Sequence, residues 1–336
     1  MEYTELKNFH HFNEGEALSQ GESLPLDGVP AIVSIVAPCF NDAACIQPFI
    51  KAVSNVFSGL SAYRAEFVFV DDGSTDDTLQ NLLECKKKYP IIIIELSRNF
   101  GKEAALSAGL EAASGSAVIP MDVDLQDPPA LIPQMLRKWR EGYDVVLAHR
   151  ENRDTDSFLK RLSAHLFYRV HNHFAEQHLP ENVGDFRLMD RKVVDALALL
   201  PESNRFMKGL FAWLGFRTAT IDYVRSARIA GKSKFRYWKL WNFALDGLTS
   251  FSTVYLRIWT YIGCFFAFLA FIYGNIIFWR TIFFGVDLPG YASLLVAIVF
   301  FGGLQLIGIG VIGEYLGRTY IEAKRRPTYL IRHIYK

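Results

Sequence analysis

Between Ile258 and Trp279, and again between Leu288 and Gly313, the chain carries no Asp, Glu, Lys or Arg. A helix needs about 20 apolar residues to cross the roughly 30 Å hydrocarbon layer of a bilayer, and both stretches reach that length. Each is apolar all round, which favours a lipid-facing helix over a buried one with a single apolar stripe. Two transmembrane helices, over 258–280 and 288–313, are therefore expected. Basic residues bracket the pair. Arg228, Lys232, Lys234, Arg236, Lys239 and Arg257 precede it, and Arg318, Lys324, Arg325, Arg326 and Arg332 follow it. Only Arg280 lies at the edge of the link. By the positive-inside rule the link faces outward and both termini are cytoplasmic. The expected division is a loose extension over 1–30, a catalytic domain over 31–227, a basic, amphipathic juxtamembrane segment over 228–257, the two spans, and a basic cytoplasmic tail over 314–336. The polar segment 1–30 lacks the apolar core of a secretory signal.

A net charge of +1 gives no sign of a nucleic-acid partner, and the bracketing cations suit anionic lipid headgroups. Four cysteines, Cys39, Cys45, Cys85 and Cys264, form no C-x-x-C pair, so neither a zinc site nor a disulfide framework is expected.

Short β-branched runs recur at Ala31–Ala37, Glu66–Val70, Ile91–Leu96, Ala117–Met121 and Asp144–Ala148, with helical patterns between them. Strands alternating with helices predict an α/β domain with a Rossmann-like, mostly parallel sheet, in which ligands bind beyond the carboxyl ends of the strands. The polar residues that need explaining fall at those ends. They are Pro38-Cys-Phe-Asn-Asp42, Asp71-Asp-Gly-Ser-Thr-Asp-Asp-Thr78, Ser97-Arg-Asn-Phe-Gly-Lys102 and Met121-Asp-Val-Asp-Leu-Gln-Asp127.

Read as a strand continuation, the last of these projects Asp122, Asp124 and Gln126 to one side, as closely spaced oxygen ligands suited to Mg²⁺ or Mn²⁺. Such an ion can grip a diphosphate leaving group, which points to nucleotide-sugar chemistry. Ser74 and Asp77 have the spacing of a capping box, leaving Asp71 and Asp72 free to accept from a uracil N–H and ribose hydroxyls. Arg98 and Lys102 supply cations where a diphosphate would need them. A dinucleotide site is excluded at the first turn, since Pro38–Asp42 contains no glycine.

These motifs, with Gly184-Asp-Phe-Arg-Leu-Met-Asp190, Gly313-Glu-Tyr-Leu-Gly-Arg318 and Lys324-Arg-Arg-Pro-Thr-Tyr329, resemble the inverting family-2 glycosyltransferases of GT-A fold. Within that family they are similar to the polyprenyl-phosphate branch and its bactoprenol glucosyltransferases of O-antigen glucosylation. The resemblance runs from about Ile32 to Lys336. It implies transfer of glucose from UDP-glucose to undecaprenyl phosphate at the bacterial inner membrane, with a flippase and a polytopic glycosyltransferase acting downstream. Carried across by motif, Asp122, Asp124 and Gln126 form the metal and diphosphate site. Pro38, Phe40, Asp42, Asp71 and Asp72 surround the nucleotide. Asp185, with Asp124 and Arg187, is expected to be catalytic or acceptor-orienting. Arg150, Arg187, Arg228, Lys232 and Lys234 match cationic positions around the diphosphate and the lipid phosphate. Asp42 stands where the family commonly has Glu, and His149 precedes Arg150 where a small residue is common.

Three alternatives stand beside this reading: the same reaction with another nucleotide sugar, a processive polysaccharide synthase, and a non-catalytic membrane adaptor. The synthase class carries a Q-x-x-R-W motif, which Gln134-Met-Leu-Arg-Lys-Trp139 matches only loosely. Gly302, Gly303, Gly308 and Gly310 in the second span favour helix association, so a homo-oligomer is expected, a tetramer being one arrangement.

Overall fold

The computed structural model describes residues 30–150, 183–200, 202, 205, 207–223, 254–284 and 290–336. The extension 1–29 and the cations Arg228, Lys232 and Lys234 lie outside the described residues. Five strands and four helices come first: β1 (Ala31–Cys39), α1 (Ile46–Ser58), β2 (Tyr63–Asp71), α2 (Thr78–Lys86), β3 (Ile91–Leu96), α3 (Lys102–Ala112), β4 (Ala117–Pro120), α4 (Ile132–Arg140) and β5 (Val145–Arg150). There follow β6 (Val183–Asp190), α5 (Arg191–Ala198), α6 (Met207–Trp213), β7 (Thr218–Tyr223), the long helices α7 (Val254–Phe284) and α8 (Tyr291–Ala323), and β8 (Ile331–Tyr335).

All eight strands form one sheet in the order β7-β5-β6-β4-β1-β2-β3-β8. The β1–β2, β2–β3, β1–β4 and β5–β7 pairs are parallel. The sheet is mostly parallel, as expected, but β6 and β8 run antiparallel to their neighbours. The chain winds from β1 through β2 to β3 on one side, then crosses to β4 on the other. The loops after β1 and β4 therefore flank a topological switch point, where α/β sheets open a crevice.

Side-chain alternation along β1 divides the core. Val33, Ile35 and Ala37 face a layer built by α1, α2 and α4, whereas Val36 faces α3, α5 and α6. Helix α1 buries Ile46, Phe49, Ile50, Val53 and Phe57, the spacing of one helical face, and stops at Gly59. Each such large apolar side chain removed from water contributes about 1.5–3 kcal/mol. Helix α3 lies closest to the sheet. A Cβ at Gly109 would come within 2.4 Å of Val36 Cγ1, so only glycine allows that approach. Gln134 and Arg137 are exposed on α4, and buried Trp139 donates its indole N–H to Asp190 at 2.7 Å, so the Q-x-x-R-W look-alike is a helix face.

Helices α7 and α8 form an antiparallel hairpin: Phe266 meets Phe300 and Phe301, while Trp259 lies over Gly308. Large side chains such as Phe271, Phe284 and Leu306 are exposed along them. Among the described residues, one helix segment, Phe300–Ala323, is long and apolar enough to cross a membrane, at mean hydropathy 1.3. It overlaps the second charge-free stretch.

The expected tail instead re-enters the sheet. Strand β8 pairs with β3, Arg332 and Tyr335 both donate to the buried Glu95 carboxylate, at 2.8 and 3.0 Å, and Ser97 N–H donates to Leu330 O at 2.9 Å. Because β7 precedes the hairpin and β8 follows it in one sheet, any layer crossed between them is crossed an even number of times.

Candidate active site

The first polar turn is held by its own side chains. Asn41 takes a positive φ of 54°, its N–H donates to Ser74 Oγ at 3.0 Å, and its side-chain oxygen accepts from Thr75 N–H at 2.8 Å. Asp42 accepts from Phe40 N–H at 3.1 Å, so its carboxylate shapes the turn that follows Pro38. Pro38 lies within β1 rather than closing it. It faces the β4 side, where pairing has ended at Val36, so its missing N–H costs no ladder bond.

Asp71 and Asp72 are both buried, and they differ in use. Asp72 Oδ1 accepts from Phe100 N–H at 2.7 Å and Oδ2 from Gly101 N–H at 2.9 Å. It is a clamp on the Ser97–Gly101 loop, and both oxygens are already committed. Gly73 completes the clamp: its φ is +66°, and a Cβ there would lie 2.6 Å from the Arg98 carbonyl carbon. Asp71 accepts from Ser74, its backbone N–H at 3.3 Å. Burial raises the pKa of both. The expected capping box does not form. Asp77 makes no side-chain cap at the start of α2, and Asp76 accepts from Thr78 N–H at 3.0 Å in its place.

Strand β4 ends at Pro120, so Asp122–Asp127 is a turn and the alternation expected of a strand does not apply. Leu125 takes φ of 55°, a left-handed conformation costing a branched residue on the order of 1–3 kcal/mol. The turn is held in two places. Gln126 N–H donates to Asp124 Oδ1 at 3.2 Å, and buried Asp127 accepts a short hydrogen bond from Tyr223 at the end of β7. Arg150 Nε donates to the same Tyr223 hydroxyl at 3.1 Å. Burial and the Asp127 carboxylate push the Tyr223 pKa up to about 12, so its proton stays in place. Neither Asp127 nor Tyr223 was a sequence candidate. Nothing local marks Tyr223, which only the β5–β7 pairing brings near.

Antiparallel β6 returns Asp185 to this edge. It pairs Ala117 with Asp190 and Val118 with Met189, so the chain before Met189 runs toward the carboxyl end of β4. Lys102 joins them: its Nζ lies 2.6 Å from Asp122 Oδ1 and 2.8 Å from Asp185 Oδ2. Burial would lower the Lys102 pKa, but the two carboxylates override it and hold the ammonium far above the ordinary lysine range. Arg187 points elsewhere. Its guanidinium is buried 4.0 Å over the Phe211 ring, donates to Gly184 O at 2.7 Å, and is lowered by burial to about 10. Arg98 stacks 4.0 Å over Phe100 at the exposed rim of its loop.

Among the described residues no three His, Cys, Asp or Glu side chains converge as a metal cage. The candidate set is two carboxylates, Asp122 and Asp124, and the amide of Gln126, whose Oε1 is buried and accepts no hydrogen bond. An unpartnered buried oxygen beside two carboxylates in one turn fits a hard cation that keeps part of its water shell. Cys39, Cys45 and Cys85 are free and buried, and Cys39 and Cys45 lie near enough to the site acids to feel their charge.

Glycosyl transferase family 2 matches residues 34–198. The chain is 52% identical over 305 residues to the prophage bactoprenol glucosyl transferase homolog of Escherichia coli K12, covering 90% of this chain and 99% of that protein. It is equally close, 52% over 302 residues, to the bactoprenol glucosyl transferase of Shigella phage SfV, covering 90% of this chain and 98% of that protein. An uncharacterized glycosyltransferase of Synechocystis is 50% identical over 304 residues, with 90% of this chain and 95% of that protein covered. With the mostly parallel sheet and the acid-lined switch point, these matches show that the chain is a glycosyltransferase and belongs to glycosyl transferase family 2.

Proposed function

We propose that this enzyme moves glucose from UDP-glucose to polyprenyl phosphate, undecaprenyl phosphate in a bacterial membrane, with inversion at the sugar. The observation that carries this reading is the meeting of Asp122, Lys102 and Asp185 at the switch point, in a chain 52% identical to proteins named bactoprenol glucosyl transferases.

The donor half is preshaped. The Asp72 clamp fixes the Ser97–Gly101 loop, Asp71 stands ready for the nucleoside, and Phe40 closes the turn beside it. Asp122, Asp124 and Gln126 would hold Mg²⁺ or Mn²⁺, which when bound offsets the charge that grows on the departing diphosphate. The acceptor is a phosphate monoester with a second pKa near 6, so it arrives mostly dianionic and needs no strong base. Asp185, held by Lys102, therefore orients the acceptor side. Arg150, held by Tyr223 and Asp127, is a cation available to an anion, and in sequence Arg228, Lys232 and Lys234 are further cations for the lipid phosphate.

The hairpin serves as the membrane anchor. The exposed rings of α7 and α8, the charge-free stretches and the even number of crossings imposed by β8 all favour two spans with both ends on the catalytic side. In this reading the product is a lipid-linked glucose for O-antigen or other envelope glycans, handed to a flippase and a polytopic transferase. Protomers associate through the glycine-rich second span.

The test is transfer of radiolabel from a panel of UDP-sugars to undecaprenyl phosphate by the full-length protein in detergent, with and without Mn²⁺. Metal-dependent labelling of lipid from UDP-glucose is expected. Labelling from a different UDP-sugar would replace the donor, and no lipid labelling from any donor would sink the reaction.

A further inference from the structure

Lys102 is the first residue of α3, directly after Gly101, whose φ is 102°. An ammonium at that end of a helix opposes the macrodipole, so helix formation does not call for it there. Nor does packing, since its side chain is 45% exposed. What holds it are two carboxylates that reach this point along different routes, Asp122 from the turn after β4 and Asp185 from antiparallel β6. The first belongs to the donor-side oxygen set, the second to the acceptor side. The Arg150 and Arg187 charges also act on Asp185, while Lys102 is the cation that bonds Asp122 in the turn after β4. The buried Gln126 Oε1, which no hydrogen-bond donor reaches, supplies a neutral oxygen in the same turn.

We propose that Lys102 is an exchangeable counter-ion: it occupies Asp122 while the donor site is unloaded, and yields that carboxylate to the divalent cation while keeping Asp185. The inference rests on the metal-dependent reading above. In the exchange no covalent bond changes. One charge-assisted hydrogen bond, Lys102 Nζ to Asp122, is replaced by coordination, and the bond to Asp185 remains. Lys102 is thus a positioning residue that links the two halves of the site. While it bridges both carboxylates, Asp185 is drawn toward the donor turn; once Asp122 is taken, the Lys102–Asp185 pair is free to settle against donor and acceptor phosphates.

The measurement is Mn²⁺ binding to the full-length protein in detergent without nucleotide, followed by the electron paramagnetic resonance signal of free Mn²⁺. Lys102→Met removes the competitor, so Mn²⁺ binds about fivefold more tightly or better, while sugar transfer falls. Lys102→Arg keeps the competitor and stays near the wild-type affinity. Asp185→Asn weakens Mn²⁺ binding about twofold in the wild-type background, because the displaced ammonium loses its second partner, and has no effect in the Lys102→Met background. Near-UV circular dichroism checks the fold, with Lys102→Gln as the second neutral variant. Unchanged or weaker Mn²⁺ binding in both neutral variants would overturn the proposal and leave the metal reading intact. Failure of all these proteins to bind Mn²⁺, even with UDP present, would overturn the metal reading and this one with it.

Discussion

One carboxylate at the amino end of the sheet and a group of them at the carboxyl end solve burial in different ways. At the amino end, Glu66 accepts from Ser34 Oγ, from Ser114 N–H at 2.9 Å and from Ser114 Oγ at 2.6 Å, while Gly115 N–H donates to Ser34 Oγ at 2.8 Å. Every partner is a neutral donor fixed on the protein. At the carboxyl end, Asp122 and Asp185 share an ammonium on a flexible stem, and the buried Gln126 Oε1 meets no hydrogen-bond donor among the described residues. A carboxylate satisfied by fixed neutral dipoles has nothing to exchange, so Glu66 is architecture. An ion pair made by a charge on a long flexible stem can exchange that partner for another cation, which fixed dipoles cannot do. The group at the carboxyl end is therefore the one able to take a ligand.

The contrast breaks first under Asp124→Ala. Its loss should cut lipid labelling about a hundredfold or more, the scale of removing an electrostatic contact to a leaving group, with the melting temperature nearly unchanged. Asp185→Asn comes next, with an expected loss of about tenfold to a hundredfold. If Asp185 orients, the residual activity keeps the wild-type pH profile. Recovery of the Asp185→Asn rate at high pH would instead make Asp185 the base that removes a proton.

The mostly parallel α/β core was legible because short β-branched runs alternate with helical patterns, and five of the eight strands were located that way. Strands β6, β7 and β8 were not. Gly184-Asp185-Phe186-Arg187 has charge inside the strand, and Thr218–Tyr223 lies at the sheet's edge with much of its surface exposed. Strand β8 is short, basic and distant in sequence, and only its pairing with β3 and the buried Glu95 makes it a strand. Of the candidate site, Asp122, Asp124 and Asp185 stand out by residue type and motif, and the structure brings Asp122 and Asp185 together at Lys102. Asp72 was assigned to the nucleotide because nothing local shows that the Phe100 and Gly101 amides, 28 and 29 residues on, claim both its oxygens. Lys102 was placed near a diphosphate, but its bridge to Asp185 depends on a register that sequence spacing does not reveal.

A smaller effect is expected at Tyr223, which contributes no carboxylate but holds the turn that carries Asp122 and Asp124. Tyr223→Phe removes the donor to Asp127 and the acceptor for Arg150 while keeping the ring packed edge-on to Phe186. The turn with its left-handed Leu125 then relaxes. We expect KM for the UDP-sugar to rise about threefold to tenfold and kcat to change less, in line with the loss of one or two hydrogen bonds. A fall in kcat at unchanged KM would show that Tyr223 acts on the chemical step.

The smallest effect on activity should come from Glu66→Gln, and that is its value. Burial alone would raise the Glu66 pKa, but hydrogen bonds from Ser114 and Ser34 outweigh it and hold the carboxyl below its ordinary value. A group whose folded pKa lies below its unfolded value, about 4.3, stabilises the fold fully above that pH. The contribution is lost as pH falls through the folded value. The wild type should therefore lose stability on acidification below about pH 4.3, and Glu66→Gln should flatten that part of the curve. Near neutral pH the same substitution should destabilise by about 1.5–3 kcal/mol, the range for hydrogen bonds to a charged group, and leave kcat within about twofold. Thermal melts of both proteins from pH 3 to pH 8 read the difference directly. If Glu66→Gln instead lowered turnover while leaving the acid limb intact, the two ends of the sheet would be coupled, and the division into a fixed carboxylate and an exchangeable group would fail.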